Sequence, residues 1–170
     1  TLVGYAYGKC HFENIFVTNS TIANYNRYTG GVVGEVGGDA KDGTIAGEHT
    51  FINVDVDAGT TISALWGTFD PGVGGIIGGK YGNATVYMKD CNVACELDVF
   101  NDVTSAYRWY SYRRCGMLIG YSEESKTVNG RTEATASFLT TVNCTVQYGD
   151  WVNYRYCEFT DTTSLGARYP

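Results

Sequence analysis

The chain has 170 residues with a net charge of -6, 44% hydrophobic residues, 22 glycines, 14 tyrosines and 2 prolines. This length is enough to bury the core of one domain, the hydrophobic content excludes a disordered chain, and the composition is typical of turn-rich β-structure. The acidic balance argues against nucleic acid as a partner, and no apolar run is long enough to cross a bilayer. The chain lacks an initiating Met and a signal peptide, so we expect a processed product or a fragment of a longer protein.

Three short β-segments recur along the chain in a fixed order, after an opening truncated copy of the third segment at 2–4. The first has a large or branched residue, any residue, Asn or Asp, a small apolar residue, any residue and Val, at 12–17, 51–56, 88–93 and 141–146. The second, weaker segment lies at 21–23, 61–63 and 97–100. The third has two glycines, two apolar residues and a glycine, at 30–34 and 74–78, with a looser copy at 116–120. A recurring order of this kind indicates one structural unit per copy.

The residue pattern within the segments predicts strands joined by corners. Apolar residues alternate at period two around the Asn or Asp, as Ile15 and Val17 do, which gives each strand one apolar face. Asn and Asp tolerate left-handed backbone angles, so we expect a corner at that position. The glycine segment suits a short buried strand, with glycines where backbones bend or approach closely. The prediction is an all-β fold, a parallel β-solenoid of about four irregular coils.

We predict a single β-solenoid domain over residues 1–170. Its repeats span approximately 9–36, 48–80, 84–121 and 135–161, while 1–7 form the back half of a preceding coil and 162–170 an irregular tail. Loops are expected at 37–49, 67–73, 79–84 and 121–135, because the length differences between repeats fall there.

The chain resembles the GLUG-type repeats of extracellular and surface proteins. The matching residues are the three glycine segments and the dipeptides Asn14-Ile15, Asn53-Val54, Asp90-Cys91 and Asn143-Cys144. The resemblance covers roughly residues 1 to 160 and implies a β-helix-like fold of the kind found in adhesins and surface proteins. It implies no catalytic residues.

Four of the six cysteines predict two disulfides between neighbouring coils. Equivalent positions on adjacent coils lie about 4.8 Å apart, within the Cα separation that a disulfide allows, about 4.4–6.8 Å. Cys91 and Cys144 share one motif position, and Cys115 and Cys157 each end a Trp-x-x-Tyr-Arg-x-Cys stretch. We predict the bonds Cys91–Cys144 and Cys115–Cys157. The alternative for Cys91 and Cys144 is a pair of buried free thiols.

Cys10 and Cys95 have no obvious partner within the chain, so either is a candidate for a bond to another chain. Together with His11 and Cys91 they offer only one short metal-ligand spacing, whereas a structural zinc site needs four converging ligands. We therefore expect no metal and no cofactor.

The sequence predicts a protein without catalytic activity. No Ser or Cys lies in a nucleophile motif, and His11 and His49 are interpreted as structural corner residues. The local acidic pairs are interpreted as solvated surface groups: Asp55 with Asp57, Asp98 with Asp102, and Glu123 with Glu124. The alternative is a polysaccharide lyase or glycoside hydrolase, which needs two carboxylates facing each other across a groove.

Three sequons and the cysteine content predict secretion to the extracellular space or the cell surface. The acceptors are Asn19, Asn83 and Asn143. We expect occupancy to decrease from Asn83, in a turn-like loop, through Asn19 to Asn143, whose side chain we place inside the stack of corner residues.

Two aromatic stretches predict either an interface or a structural ladder. Trp, Tyr and Arg together are typical of interface hot spots, and aromatic faces also stack on sugars. The alternative is an aromatic ladder that closes the wider end of the solenoid. The residues concerned are Trp109, Tyr110, Tyr112, Arg113, Trp151, Tyr154 and Arg155.

The two ends of the chain predict self-association. The start matches the back half of a coil and the end matches the front half, so the end of one chain could accept the start of the next, head to tail. The residues concerned are Leu2, Val3, Gly4, Tyr5, Tyr156, Cys157 and Phe159. We therefore predict an extracellular structural or adhesive glycoprotein, a protomer of a head-to-tail filament. The alternatives are a carbohydrate-binding or carbohydrate-cleaving β-helix protein and a fragment of a longer surface adhesin. The expected partners are copies of the chain, other surface proteins or glycans.

Overall fold

The computed structural model describes residues 1–24, 28–37, 47–64, 72–81, 84–98, 113–122, 125–128, 131–134, 139–147 and 157–159. Within these residues every regular element is a β-strand, and all the strand pairs but one are parallel. The predicted all-β fold with parallel strands is therefore confirmed.

The first two repeats each contribute four strands, after an opening strand β1 (Val3–Tyr7). The first repeat has β2 (Lys9–Val17), β3 (Thr21–Asn24), β4 (Tyr28–Gly30) and β5 (Val33–Gly37). The second has β6 (Glu48–Val56), β7 (Thr61–Ala64), β8 (Gly72–Gly74) and β9 (Ile77–Tyr81).

The later repeats follow the same order with shorter strands. The third has β10 (Thr85–Lys89), β11 (Asn92–Val93), β12 (Glu96–Asp98), β13 (Arg113–Gly116) and β14 (Ile119–Ser122). The fourth has β17 (Leu139–Val142), β18 (Thr145–Val146) and β19 (Cys157–Phe159). Between them, β15 (Ser125–Val128) and β16 (Arg131–Ala134) form the antiparallel pair. This hairpin corrects the expectation of an irregular loop over 121–135.

Four parallel sheets each take one strand or strand pair from successive repeats. Their orders are β1-β5-β9-β14 for the first sheet, β2-β6-β10-β17 with β6-β11-β18 for the second, β3-β7-β12 for the third and β4-β8-β13-β19 for the fourth. Because strand order in each sheet follows chain order, equivalent residues of successive repeats form columns across the sheets.

The register places the predicted motif positions opposite one another. In the second sheet Phe12 pairs with Phe51, Phe51 with Met88, and Met88 with Thr141. In the first sheet Val3 pairs with Val33 and Val33 with Ile77, which in turn pairs with the later Ile119. The predicted match between the start of the chain and the segment at 116–120 is confirmed by this shared column.

The Asn and Asp of the first motif adopt left-handed backbone angles, as predicted. Their φ values are 56° for Asn14, 53° for Asn53, 52° for Asp90 and 51° for Asn143. Such angles are uncommon for non-glycine residues, and Asn and Asp adopt them most readily. The local bend leaves apolar residues on both sides pointing to one face.

The glycine motif forms a corner, which corrects the prediction of a single short strand. In the second repeat β8 ends at Gly74, the bend follows, and β9 begins at Ile77. The first and second repeats therefore each have four strands where the sequence predicted three. The corners stack closely, since Gly31 N–H donates to the Gly75 carbonyl at 3.1 Å and Ile76 N–H to the Leu118 carbonyl at 3.2 Å.

One hydrophobic cluster joins the inward faces of the four parallel sheets. Its fully buried members come from every sheet and include Val33, Ile77, Ile119, Phe51, Val54, Val56, Ile62, Leu97, Val73 and Cys115. Among the described residues, no helix is long and apolar enough to cross a membrane.

Candidate functional site

The inward side chains of β2 and β3, in the first repeat, are only half-buried. Their partners in the second repeat are almost fully buried, with His49 1% exposed and Phe51, Val54, Val56 and Ile62 each 0% exposed. The difference arises because β6 and β7 each pair with strands on both sides, whereas β2 and β3 each pair on one side within the described residues. The half-buried side chains, here called the first-repeat end surface, are Cys10, Phe12, Ile15, Val17 and Ile22.

The fourth repeat presents a matching surface at the opposite end of the second sheet. Leu139, Thr141, Cys144 and Val146 are half-buried there, and we call them the last-repeat end surface. The columns of the sheet run from Cys10 to Leu139, from Phe12 to Thr141 and from Val17 to Val146. The two end surfaces thus have the same column spacing and strand direction.

The predicted end residues occupy the first and fourth sheets. Leu2 is 67% exposed and Tyr5 44% exposed, while Val3 and Tyr5 pair with Val33 and Glu35. At the other end, Phe159 pairs with Cys115. The sites predicted at Gly4 and Cys157 fall in β1 and β19, and Tyr156 lies outside the described residues.

Polar ladders run along the outward face of the second sheet. The Nδ2 of Asn53 donates to Asn14 Oδ1 at 2.7 Å, and the Nδ2 of Asn143 donates to Asp90 Oδ1 at 2.6 Å. A parallel ladder joins Asp55, Asn92 and Thr145 through bonds of 2.8 Å and 2.6 Å. In all four bonds the donor belongs to the later repeat and the acceptor to the earlier one. The ladders therefore have a direction along the stack.

Cys91 and Cys144 occupy adjacent positions in neighbouring repeats. The following residues are register partners, Asn92 with Thr145, and Thr145 N–H donates to the Cys91 carbonyl at 2.8 Å. Both cysteines are thiols in the structure. Burial, together with the neighbouring Cys144 thiol, raises the pKa of Cys91 to about 11 against the opposing effect of backbone hydrogen bonds. The Cys91–Cys144 disulfide stays a prediction, and it would need no change in the pairing register of β11 and β18.

The other cysteines differ more from the predicted arrangement. Cys157 pairs with Arg113 and Cys115 with Phe159, so the two cysteines are offset by two residues instead of lying opposite each other. A Cys115–Cys157 bond would require the register of β13 and β19 to shift. Cys95 is buried, and burial raises its pKa to about 12. Cys10 lies in the first-repeat end surface, where its Sγ donates to the Tyr7 carbonyl at 3.4 Å.

The two histidines lie on opposite faces of the second sheet. His11 is exposed, with Nε2 3.2 Å from Glu13 Oε2. His49 points inward beside Cys10, and its Nε2 hydrogen-bonds the Gly37 carbonyl at 3.0 Å. Its Nδ1 is buried without a hydrogen-bond partner, and burial lowers the pKa of the imidazole despite the Gly37 bond. His49 is thus a core residue within β6 and not the predicted corner residue. Its position two residues before the inward-facing Phe51 would have indicated this role.

Two of the described acidic residues, Asp55 and Asp57, accept hydrogen bonds from neighbouring residues of the fold. Asp57 accepts hydrogen bonds from Asn19 N–H at 3.1 Å, Gly59 N–H at 3.1 Å and Thr60 Oγ1 at 2.9 Å. Asp55 accepts from Asn92, as above, and Asp98 lies in β12. Asp102, Glu123 and Glu124 lie outside the described residues. Within the described part of the chain, no three His, Cys, Asp or Glu residues converge as metal ligands would.

Two of the three sequon asparagines, Asn19 and Asn143, lie within the described residues. Asn19 is exposed, with a φ of 43°, and lies in a bend between β2 and β3. Asn143 is also exposed, and its side chain bonds Asp90 in the stack of corner residues. Asn83 lies outside the described residues, as does the aromatic band, namely Trp109, Tyr110, Tyr112, Trp151, Tyr154 and Arg155; of Arg113 only the backbone is described, at the start of β13.

Sequence reasoning missed two features. Lys80 in β9 is fully buried, although its place after a glycine pair gave no sign of burial. A cleft beside β1 brings together Tyr5, Tyr28 and Glu35, which lie far apart in the sequence. Comparison of the chain with protein-family models, curated proteins and solved structures found no match in any of the three.

Proposed function

We propose that this chain is a parallel β-solenoid that serves as a structural or adhesive glycoprotein outside the cell and associates head to tail with further copies. The solenoid is supported by four parallel sheets that share one hydrophobic cluster and take a strand from each repeat in turn. The motif-level resemblance to GLUG-type repeats supports the surface location, as do the three sequons and six cysteines.

The observation that carries the self-association is the pair of half-buried end surfaces. Phe12, Ile15 and Val17 present apolar area at one end, and Leu139 and Val146 present it at the other. Burying apolar surface stabilises by about 25 cal/mol per Å². A second copy placed in register would give the first repeat the coverage that the second repeat already has.

The direction of the polar ladders supports the same joint. Because each donor lies in the later repeat, Asn14 of one copy would donate to Asn143 of the copy before it. Strand β2 of the copy that contributes Asn14 would pair in parallel with β17 and β18 of the copy that contributes Asn143, as in strand addition. Such a contact is heterologous and does not close, so it builds a filament.

Light scattering on size-fractionated native protein tests this function. We expect the wild-type chain to form a ladder of oligomers whose mean mass rises with concentration. Phe12→Lys and Val17→Lys place a charge in the first-repeat end surface and should give monomers. Phe16→Lys is the matched control, because Phe16 lies on the same strand but faces outward and is 60% exposed.

The Phe16→Lys control and the folding of each variant decide whether a loss of assembly reflects the first-repeat end surface. Thermal unfolding of each variant checks that it folds, since the Phe12 ring also stacks on Phe51 with centroids 4.8 Å apart. A wild-type chain that is monomeric at every concentration, or equal loss of assembly in Phe12→Lys and Phe16→Lys, would overturn the proposal.

A further inference from the structure

A cleft of about 370 Å³ opens on the outer surface beside the first sheet. It lies where β1 and β5 run side by side, next to the last residue of β3, Asn24, and the first residue of β4, Tyr28. The lining residues that matter here are Gly4, Tyr5, Asn24, Tyr28, Gly34 and Glu35. This volume is at the lower end of the range for small-molecule sites, about 300–1,000 Å³.

The floor of the cleft is backbone. A Cβ built on Gly4 would meet no atom within 4 Å, so the space above this residue is open. A Cβ on Gly34 would lie 2.7 Å from the Gly4 carbonyl oxygen and 3.3 Å from that of Tyr28. The absence of a side chain at Gly4 therefore leaves room for a flat ligand to approach β1 closely, whereas the space beside Gly34 is already occupied by backbone.

Two tyrosines form the walls, and one of them is held rigidly. The Tyr28 ring is 7% exposed, stacks on Tyr121 with centroids 5.6 Å apart and contacts the edge of Tyr81 at 5.4 Å. Tyr5 is 44% exposed and its ring contacts Tyr7. The cleft thus has one fixed and one accessible aromatic surface, each with an apolar ring and a polar hydroxyl.

The polar groups of the cleft accept and donate hydrogen bonds, and one carries negative charge. Glu35 is the register partner of Tyr5. Its carboxylate is close enough to add to the effect of burial in raising the pKa of Tyr7. The amide of Asn24 lies at the opposite side, donating to the Tyr28 carbonyl at 3.4 Å. The lining also includes Thr1, and Glu35 is its one charged side chain among the described residues, with no Lys or Arg.

We propose that this cleft binds a neutral saccharide of one or two rings. The C–H face of a pyranose is apolar and stacks on a tyrosine ring, while its hydroxyls suit the carboxylate of Glu35, the amide of Asn24 and the exposed backbone of Gly4. The volume excludes a long polysaccharide lying wholly inside. The cleft shares no residue with the first-repeat and last-repeat end surfaces, but Gly4 and Tyr5 are also predicted end residues, so binding and head-to-tail association are measured separately.

Amide chemical shifts of the isotope-labelled protein test the proposal directly. The probes are D-glucose, D-galactose, D-mannose and N-acetyl-D-glucosamine, with choline chloride as a cationic comparison because tyrosines beside a carboxylate also suit an ammonium group. We expect at least one sugar to shift the amides of Gly4, Tyr5, Gly34 and Glu35, with a dissociation constant of about 1 mM.

Substitutions then identify the side chains. Tyr5→Ala should weaken the binding about tenfold, and Glu35→Gln should weaken it several-fold. Tyr87→Ala is the matched control, because Tyr87 is also an exposed tyrosine, 36% exposed, on a strand away from the cleft. It should leave binding unchanged.

Three results would overturn the proposal. One is the absence of shifts at the four amides with every sugar. Another is binding that Tyr5→Ala and Glu35→Gln leave intact in folded protein. The third is a response to choline chloride with none to the sugars. Light scattering on the same samples reports self-association separately, so failure of either proposal is recognised without reference to the other.

Discussion

At the scale of single residues, the four Asn and Asp residues at left-handed angles determine the shape of the second sheet. Each turns the strand locally, so that Phe12 and Ile15, for example, on either side of Asn14, both pack against the core. The side chain at the bend then points outward and bonds its equivalent in a neighbouring repeat, as Asn53 does with Asn14. One residue type therefore satisfies the backbone angle and the ladder together, which explains why the motif recurs.

Replacing Asn53 separates these two contributions. Asn53→Ala should lower the free energy of unfolding by about 1–2 kcal/mol, because alanine resists the left-handed angle and cannot bond Asn14. Asn53→Gly should cost less, since glycine accepts the angle. Urea denaturation measures both variants.

Asn92 provides the control for Asn53. It is outside the set of positive-φ residues but makes a comparable ladder bond to Asp55. Asn92→Ala should therefore report the loss of ladder bonds without a change of backbone angle, at about 0.5–1.5 kcal/mol for each of its bonds to Asp55 and Thr145. Equal losses for Asn53→Ala and Asn53→Gly would show that the backbone angle contributes nothing.

His49 makes stability depend on pH. Burial lowers its pKa in the folded state below the usual 6.5, so the unfolded chain binds the proton more readily. Its contribution to stability is then present above pH 6.5 and is lost as the pH falls through 6.5 towards the folded value. We expect the wild-type chain to lose more stability than His49→Leu between pH 7 and pH 5 in urea denaturation. Carboxylates titrate in both proteins, so the difference isolates His49. Parallel curves would contradict this assignment.

At the scale of elements, the stacked glycine corners hold successive repeats at a fixed distance. A Cβ on Gly75 would overlap the Met117 carbonyl oxygen and Val93 Cγ1. Neither backbone nor core side chain can move aside easily, because both belong to the packed interior. The spacing between stacked corners is therefore set by how closely the two backbones approach each other.

Gly75→Ala should consequently destabilise the protein by about 3 kcal/mol or more. Gly4→Ala is the matched control, since a Cβ there meets nothing within 4 Å, and it should change stability little. Thermal unfolding of the two variants measures the difference. A Gly75→Ala protein as stable as Gly4→Ala would show that the corners do not pack as described.

The disulfide prediction belongs to the same scale. In native, oxidised material, non-reducing peptide mapping should join Cys91 to Cys144. Because the pKa of Cys91 is raised to about 11, the less buried Cys144 should be alkylated first in reduced protein. Replacing both cysteines by Ser should cost about 2–4 kcal/mol under oxidising conditions. A bond from Cys91 to Cys95 would contradict the register of the third repeat.

The sequence predicted best what is repeated locally. The period-two alternation and the Asn at position 53 are properties of a few adjacent residues, and both the strand face and the left-handed angle follow from them. The two-residue offset of Cys157 depends on how β19 pairs with β13, which spacing from Trp151 does not encode. The cleft at Tyr28 likewise depends on contacts between distant residues, so no local pattern indicated it. The hairpin at 125–134 is a local structure, and the dipeptide Asn129-Gly130 between its strands is the sequence signal that could have predicted it.

At the scale of the whole molecule, the described second sheet has half-buried inward residues at both of its ends. Repeats in such a stack are stabilised by their neighbours, so a terminal repeat with half-buried Phe12 and Ile15 gains from an added neighbour. The identical strand direction and column spacing at Leu139 and Val146 make another copy of the chain a suitable neighbour. Assembly through these surfaces is the function that we propose for the chain.

Site-specific photo-cross-linking tests that claim most directly. A benzophenone amino acid replaces Phe12 in the first-repeat end surface or, as a control, Tyr87 on the outward face of the third repeat. Irradiation followed by peptide mapping should join position 12 of one copy to the segment at 139–147 of another, in the column of Thr141, and position 87 should give no such product. Cross-links from position 12 that stay within its own chain, or intermolecular products equally frequent from both positions, would contradict the head-to-tail joint.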